Sequence, residues 1–515
     1  VGTIEDTDSN NIVIAGKILD RKDNGTEGIA EGTYDYDADS LAGGVTGFNV
    51  GVIRYAVSDS ALTASRDANS LGGIAGVSTN SVVYDKDGKE YKLNAVIEGV
   101  ESYGVVNGTY NGANTGNDAT ANHVGGIVGS LMNGASINSA YNEAEIIGAN
   151  RVGGIVGFSG HGINLSGVDA SDNKIINVIN SGSIDGKNYV GGLIGYSAYT
   201  EMDGARNTGE ITGEDYVGGI VGSNSTDSEM SNIVNDNKAS ITGIRYVGGV
   251  AGQNEGIISA DSMHLDNNGK IYGKQYVGGI VGHNAETGKV ENTINDITLY
   301  VNSDDVYYIC ESDGTYTYVE SGTTGAAEMK AQYFGGVVGK NEGTITNAEN
   351  RGNVNADGAK YVGGIVGHNS GALKGAGNSN NGLVQGDSYV GGVGGYNASA
   401  IDGSGYETDD NDNSILVSES TTVKNQGTVI ADDGGAGGIW GYNAGAITNM
   451  IMINDGKVYG TTGGTGGIIA TNIGNISNSS LINTVGGVVV GHDTVGGLIG
   501  VNSGSITGGR DDDDN

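Results

Sequence analysis

The sequence predicts an all-β parallel β-helix (β-solenoid), with about three short strands in each coil. Three observations predict this fold. One phrase recurs fourteen times, and the segments between its copies alternate between apolar and polar residues. Glycine accounts for 97 of 515 residues, and proline is absent. A short unit that repeats often and holds no helical pattern can bury its apolar side chains only by stacking on its neighbours.

The recurring phrase is clearest at residues 361–369, Tyr-Val-Gly-Gly-Ile-Val-Gly-His-Asn. Nine of the thirteen spacings between successive Gly-Gly pairs lie between 27 and 30 residues, which gives a coil of about 28 residues and roughly 14 to 16 coils. The other four spacings are 53, 38, 57 and 46 residues, and they predict insertions near 77–121, 158–188, 285–332 and 398–434. The expected organisation is an N-terminal coil or cap at 1–40, a solenoid at 41–508 and an acidic tail at 509–515.

Three segments of one period, 343–347, 352–355 and 361–366, alternate in polarity between Gly and Asn residues. This pattern is typical of short strands, and no helix separates them. In two of the insertions, 82–93 and 306–319, an Asp-Gly pair lies between alternating apolar residues, which predicts β-hairpins. Their tyrosines could contact a neighbour or a glycan, or could cover a sheet edge: Tyr84, Tyr91, Tyr307, Tyr308, Tyr316 and Tyr318.

Asparagine stands six residues after the first Gly in ten of the fourteen copies. Stacked amides can form hydrogen bonds along a solenoid, so the sequence predicts an Asn ladder. The alternative is that each Asn only makes a turn. The ladder includes Asn224, Asn254, Asn284, Asn341, Asn369, Asn397, Asn443, Asn472 and Asn502, and a row of tyrosines that precedes the Gly pairs is expected to stack as well.

The phrase at 276–284, Tyr-Val-Gly-Gly-Ile-Val-Gly-His-Asn, resembles the GLUG motif of bacterial and archaeal surface proteins. The resemblance covers about residues 41–508. It implies a secreted or wall-attached protein, such as an adhesin or the stalk of an IgA-cleaving metallopeptidase. The peptidase activity does not carry over, because no His-Glu-x-x-His motif occurs in this chain.

The composition excludes several partners. The formal charge of −36 repels nucleic acids and acidic lipid surfaces. No run of eighteen apolar residues occurs, so membrane insertion is not expected. The single cysteine, Cys310, excludes an intramolecular disulfide framework. The charge and the resemblance predict an extracellular or cell-surface location, and the start at Val1 suggests a processed or truncated chain.

No cofactor is certain from the sequence, although Ca²⁺ is a candidate ion. Alternating carboxylates at Asp35, Asp37 and Asp39 predict a Ca²⁺ site, with a solvated acidic loop as the alternative. Gly160-His161-Gly162 resembles a motif of polygalacturonases, but the accompanying Asn-Thr-Asp and Arg-Ile-Lys segments are missing. The sequence therefore predicts that the protein is not an enzyme.

The predicted function is a self-associating structural protein. An outer apolar stripe is expected to join copies laterally, and it comprises Val124, Val152, Val190, Val217, Val247, Val277, Phe334, Val362 and Val390. At the ends, Asp511, Asp512, Asp513 and Asp514 could meet Lys17, Arg21 and Lys22 of another copy, or could act as a repulsive cap.

The expected partners are copies of the same chain, with a host or environmental glycan or protein as a further partner. Two other functions stay open at this point: the stalk of a larger anchored adhesin, and a β-helix enzyme that degrades polysaccharides.

Overall fold

The structure is a computed structural model. It describes residues 3–4, 12–19, 40–63, 68–85, 89–110, 119–161, 172–235, 240–259, 263–264, 269–311, 315–404, 406–408, 414–416 and 421–507. Every regular element in these ranges is a β-strand, and none of them is a helix.

One coil shows how the chain winds. From residue 338 it forms the strands Val338–Asn341, Thr344–Thr346, Glu349–Asn350 and Val354–Gly363, and the next coil begins at Val366–Asn369. Each strand pairs in parallel with its counterpart one coil later, as in the pair Val338 and Val366. This stacking confirms the predicted parallel β-solenoid with inserted hairpins.

The coils contain more strands than the three that the sequence predicts. The phrase at 361–366 is split, because the Gly363-Gly364 turn ends one strand at Gly363 and the next begins at Val366. The two-residue strand Glu349–Asn350 lies in a segment that the sequence pattern left as a turn. A typical coil therefore has four or five strands, most of which are two to five residues long.

The chain divides into two compact units, one formed mainly by residues 1–241 and the other mainly by residues 267–515. Seven parallel strands that follow a Gly-Gly turn stack in each unit. In the first unit these are Thr46–Asn49, Ala75–Thr79, Val128–Met132, Val156–Gly160, Ile194–Ser197, Val221–Asn224 and Ala251–Asn254. In the second they are Val281–Asn284, Val338–Asn341, Val366–Asn369, Gly394–Asn397, Trp440–Asn443, Ile469–Asn472 and Ile499–Asn502.

A second set of strands ends in the Gly-Gly turn. In the first unit these are Ser40–Gly43, Ala68–Gly72, His123–Gly125, Asn150–Gly153, Asn188–Gly191 and Asp215–Gly218. In the second they are Arg245–Gly248, Gln275–Gly278, Gln332–Gly335, Val354–Gly363, Val384–Gly391, Ala436–Gly437, Gly464–Gly466 and Thr494–Gly496.

Antiparallel strands occur in the insertions. The predicted hairpins are present as Ser81–Tyr84 with Glu90–Leu93 and as Tyr307–Cys310 with Tyr316–Val319. The strand Ala327–Glu328 joins the second hairpin on its other edge. Two further antiparallel pairs are Thr109–Tyr110 with Ala119–Thr120 and Tyr406–Thr408 with Ser414–Leu416.

Candidate assembly site

The predicted outer stripe is not on the surface. All nine of its side chains have an exposed fraction of 0% within a single chain. The prediction that they form an exposed lateral contact is therefore wrong for Val124, Val152, Val190, Val217, Val247, Val277, Phe334, Val362 and Val390.

The reason is a close contact between two layers of strands. A Cβ atom on Gly339 would lie 2.3 Å from the carbonyl carbon of Tyr276 and 2.6 Å from the backbone nitrogen of Val277. The strand Val338–Asn341 therefore lies against the face of the strand Gln275–Gly278 at a distance that only glycine permits. The strands after the Gly-Gly turns thus cover the side of the solenoid that the prediction left open.

The Asn side chains of the predicted ladder do lie one above another. In the second unit, Asn341 Nδ2 donates a hydrogen bond to Asn369 Oδ1 at 2.8 Å. The same amide also donates to the carbonyl oxygen of Gly343 at 3.3 Å. Equivalent bonds between Asn side chains join Asn224 to Asn254, and Asn284 to Asn341, Asn369 to Asn397, Asn397 to Asn443, Asn443 to Asn472, and Asn472 to Asn502.

A second Asn ladder was missed by the sequence analysis. Asn350 Nδ2 donates to Asn380 Oδ1 at 2.8 Å and to the carbonyl oxygen of Gly352 at 2.9 Å. The signal was present as Asn-x-Gly triplets that recur with the period of the coil, such as Asn350-Arg351-Gly352. The ladder runs through Asn142, Asn180, Asn207 and Asn235 in the first unit and through Asn295, Asn350, Asn380, Asn425, Asn454 and Asn483 in the second.

The tyrosines before the Gly pairs form the expected stack. In the second unit the rings of Tyr246, Tyr276, Tyr333, Tyr361 and Tyr389 follow one another at 4.9 to 5.4 Å, with planes 5° to 13° apart. Tyr189 and Tyr216 stack in the first unit. Burial of their hydroxyl groups raises the pKa of Tyr276 and Tyr333 to about 12.

The tyrosines of the second hairpin contact their own chain. The guanidinium carbon of Arg245 lies 3.8 Å from the centre of the Tyr316 ring, and Arg245 Nε donates to the Tyr318 hydroxyl at 3.0 Å. In the first hairpin, Tyr91 is 43% exposed, and its hydroxyl donates to Asp85 Oδ2 at 3.2 Å. The second hairpin thus packs on Arg245, whose guanidinium carbon also lies 5.4 Å from the centre of the Tyr246 ring in the stack.

The last described coil carries apolar side chains that are partly exposed. Two positions that are buried in preceding coils become exposed there, since Leu498 is 42% exposed and Ile506 is 50% exposed. Their counterparts one coil earlier, Ile468 and Ile476, are buried. Apolar side chains that are buried in the preceding coils are thus partly exposed in residues 480–507, the last coil that the structure describes.

Several predicted site residues lie outside the described residues. These are Asp35, Asp37 and Asp39 of the Ca²⁺ hypothesis, and Arg21, Lys22, Asp511, Asp512, Asp513 and Asp514 of the end contacts. Lys17 belongs to the strand Ile12–Leu19, whose side chains are not described. His161 stacks on Tyr199, with ring centres 3.8 Å apart. Within the described ranges, no three His, Cys, Asp or Glu residues are grouped so that they could hold a metal ion.

The stacked parallel coils define this chain as a parallel β-solenoid protein. Comparison with known proteins found no matching family model, no matching curated protein and no matching solved structure. The likeness to the GLUG motif thus rests on the repeated phrase alone. A search of the described residues found no helix of the length and apolarity needed to cross a membrane.

Proposed function

We propose that this chain is an extracellular structural protein whose copies associate through the exposed apolar side chains of the last described coil, residues 480–507. The exposed core of that coil carries the proposal. Leu498 and Ile506 continue apolar rows that are buried elsewhere in the second unit. Exposing such rows to water costs about 25 cal/mol for each Å² of apolar surface, so a partner that covers them gains this free energy.

The strand edges support the same proposal. Each strand of the last coil pairs with the preceding coil, and on its other side it has no strand partner within the described residues. Open edges of this kind favour pairing with another chain. The edge strands are Ser480–Asn483, Val488–Gly491, Thr494–Gly496, Ile499–Asn502 and Ile506–Thr507.

The charge of the chain supports an extracellular role and also limits association. A formal charge of −36 keeps single copies apart at low ionic strength. At 0.15 M salt the screening length is about 8 Å, so contacts between apolar surfaces can overcome the repulsion. Added Ca²⁺ would reduce the repulsion further and is therefore included in the test.

A second candidate function is supported by the same exposed side chains. In the stalk of a larger adhesin, further coils of the same polypeptide would cover Leu498 and Ile506. The two candidates differ in what the 515-residue chain does by itself. A self-associating subunit forms species larger than the monomer. A stalk region is expected to stay monomeric, because the surface around Leu498 and Ile506 is covered only by further coils of the longer protein.

Sedimentation velocity of the purified 515-residue chain between 1 and 100 µM, with and without Ca²⁺, tests the proposal. We expect species larger than the monomer that increase with concentration and with salt. A double variant, Leu498→Asp with Ile506→Asp, should stay monomeric, because it places two charges in the exposed core.

The matched control is Ile179→Asp with Ile294→Asp. These two residues are 39% and 36% exposed and lie on strands outside the last coil. This control should associate like the unmodified chain. A chain that remains monomeric at 100 µM under every condition contradicts the proposal and favours the stalk.

A further inference from the structure

The tyrosine stack of the second unit has a second aromatic row beside it. This row comes from the strands that follow the Gly-Gly turns. The ring of Tyr396 has its centre 5.1 Å from that of Tyr361, and the ring of Tyr442 has its centre 5.1 Å from that of Tyr389. The centres of Tyr396 and Tyr442 are 5.6 Å apart. We call Tyr333, Tyr361, Tyr389, Tyr396 and Tyr442 the tyrosine face.

The tyrosine face reaches solvent. All five of its side chains are partly exposed within a single chain. The hydroxyl groups of Tyr389, Tyr396 and Tyr442 make no hydrogen bond to any described residue, and none of these three oxygen atoms is fully buried. A phenol hydroxyl can donate one hydrogen bond and accept others. The face therefore offers a group of hydroxyls whose hydrogen-bonding positions are open to a ligand.

Tyrosine is used in the stack where phenylalanine would stack equally well. Seven consecutive copies of the repeat, from Tyr189 to Tyr389, have tyrosine at this position, and each has a positive φ. Partial burial of its hydroxyl raises the pKa of Tyr333 to about 12, which reflects a cost that phenylalanine would avoid. Strained backbone that persists at a cost is typical of functional sites. The hydroxyl groups thus have a role other than stacking.

The charged groups beside the face favour a ligand without net charge. The Lys360 nitrogen lies 4.5 Å from the centre of the Tyr361 ring. On the strand that carries Tyr389, burial and the neighbouring carboxylates of Asp433 and Asp432 raise the pKa of Asp387. These carboxylates repel an anionic ligand, whereas they can accept hydrogen bonds from the hydroxyl groups of a neutral sugar.

From these features we infer that the tyrosine face binds a neutral, extended β-1,4-linked polysaccharide, the chemistry that cellulose and chitin share. The rings of Tyr333, Tyr361 and Tyr389 follow one another from coil to coil at 5.3 and 5.4 Å. The sugars of such a polysaccharide advance by nearly the spacing of strands in a sheet, about 4.8 Å. Successive sugars can therefore meet successive tyrosines. The inference goes beyond the proposed self-association and does not depend on it.

The contact combines hydrogen bonds with apolar packing. Sugar hydroxyls donate to and accept from the phenol hydroxyls, and the carbon-bound faces of the sugar cover the exposed carbon atoms of the rings. One sugar gains little from such a contact. Contacts repeated along one polysaccharide add up, because each further sugar is already held beside the next coil. Stacked rings also lose little conformational freedom when the ligand binds.

Oligosaccharides of different length test the inference. Isothermal titration calorimetry of the purified 515-residue chain with cellobiose, cellohexaose and chitohexaose gives the Kd of each. We expect at least one hexasaccharide to bind, and cellohexaose to bind at least tenfold more tightly than cellobiose if glucose is the sugar, because only the longer chain reaches several coils. Retention on insoluble cellulose or on insoluble chitin distinguishes the two sources.

A triple variant removes the open hydroxyls and keeps the rings. Tyr389→Phe with Tyr396→Phe and Tyr442→Phe should weaken binding of the preferred hexasaccharide at least tenfold. These hydroxyls have no partner among the described residues, so their removal leaves no buried group without a hydrogen bond there. Thermal unfolding followed by circular dichroism shows that the variant has kept its fold.

The matched control is Tyr55→Phe with Tyr103→Phe and Tyr141→Phe. It removes three hydroxyls from tyrosines outside the face, of which Tyr55 is 46% and Tyr103 is 39% exposed. This control should bind like the unmodified chain. The double variant Leu498→Asp with Ile506→Asp should also bind like the unmodified chain, so sugar binding and self-association are measured separately.

Three results would overturn the inference. The first is that the unmodified chain binds neither hexasaccharide and neither insoluble polymer, whatever its oligomeric state. The second is that the triple variant binds as tightly as the unmodified chain, which would place the sugar on another surface. The third is that polygalacturonate, an anionic polysaccharide, binds more tightly than both neutral hexasaccharides. A chain that binds sugar but sediments as a monomer contradicts the proposed function alone.

Discussion

The rings of Tyr333 and Tyr361 stack with their centres 5.3 Å apart, and both residues have a backbone φ of +63°. A left-handed backbone costs a residue with a Cβ about 1 to 2 kcal/mol. All seven tyrosines of the row adopt it: Tyr189, Tyr216, Tyr246, Tyr276, Tyr333, Tyr361 and Tyr389. Ring stacking is a favourable interaction that can offset this cost.

Substitution of Tyr361 separates the two effects. Tyr361→Ala loses the stacking on Tyr333 and Tyr389 but keeps the backbone cost, so we expect it to lower the free energy of unfolding by about 2 kcal/mol. Tyr361→Gly relieves the backbone and should be about 1 kcal/mol less destabilising than Tyr361→Ala. Tyr361→Phe keeps the ring and serves as the control. Denaturant unfolding measures all three, and equal values for Ala and Gly would show that the backbone carries no strain.

The second Asn ladder predicts a large effect from one amide. Asn350→Ala leaves the carbonyl oxygen of Gly352, Asn295 Nδ2 and Asn380 Oδ1 without the bonds that they make to Asn350. We expect a loss of about 2 to 4 kcal/mol in unfolding free energy. Asn355→Ala is the control, because this side chain is only half-buried on a neighbouring strand, and it should change stability by less than about 0.5 kcal/mol. Similar melting curves for the two variants would contradict a structural role of the ladder.

The buried valine row predicts that a charge there disrupts the fold. Val362→Lys places an ammonium group among fully buried side chains, and we expect it to cost about 3 kcal/mol or more. Asn355→Lys, on the same strand, should be tolerated because its side chain reaches solvent. Thermal unfolding followed by circular dichroism compares the two. If the Val362→Lys protein is as stable as the unmodified chain, the valine row is exposed to solvent and the burial described here is wrong.

His123 predicts a dependence of stability on pH. Burial, together with the charge of Arg151, lowers the pKa of His123 from its ordinary value of 6.5 to about 3. Arg151 Nη1 lies 2.8 Å from His123 Nε2, and Ser130 Oγ lies 2.7 Å from His123 Nδ1. The unfolded chain therefore binds a proton below pH 6.5, while the folded chain does not. Stability that is present above pH 6.5 falls as the pH decreases, by about 2 kcal/mol between pH 6.5 and pH 5.

His123→Gln should reduce this slope, because glutamine does not titrate. Unfolding free energies at pH 7, 6 and 5 measure the difference between the two proteins. Carboxylates with a lowered pKa, such as Asp203, stabilise the folded chain at neutral pH. They lose this stabilisation only when the pH falls below about 5, so they affect the slope at lower pH than His123 does. A variant with the same slope as the unmodified chain would show that another group controls the response.

Much of the fold follows from the sequence because strict periodicity leaves few alternatives. The inward position of Ile280 and the stacking of Asn284 follow from columns that repeat in almost every coil. The second Asn ladder was missed because its strands, such as Glu349–Asn350, are only two residues long and show no alternation. A turn and a two-residue strand have the same local pattern, and only the neighbouring coil distinguishes them.

The error about the valine row has a different cause. Alternation along a strand shows that Val277 has a covered side, but it does not show what covers the other side. A glycine such as Gly339 stands four residues after the first Gly of the pair in thirteen of the fourteen copies, a pattern that by itself suits a bend. In the structure it permits direct contact between two backbones. The sequence shows that the side chain is absent at this position. It does not show how close the two layers of strands lie, because that distance depends on the packing of the whole coil.

The matching of ladder positions from coil to coil has a consequence for inheritance. Residues 342–369 comprise 28 residues and begin directly after one ladder asparagine and end at the next. Loss of this segment from the gene would join Asn341 to Ser370-Gly371, which restores the Asn-x-Gly triplet at the junction. Duplication of the segment would do the same. Unequal recombination can thus add or remove whole coils without shifting the Asn ladder out of register. The number of coils can therefore change between generations while the ladder positions stay aligned.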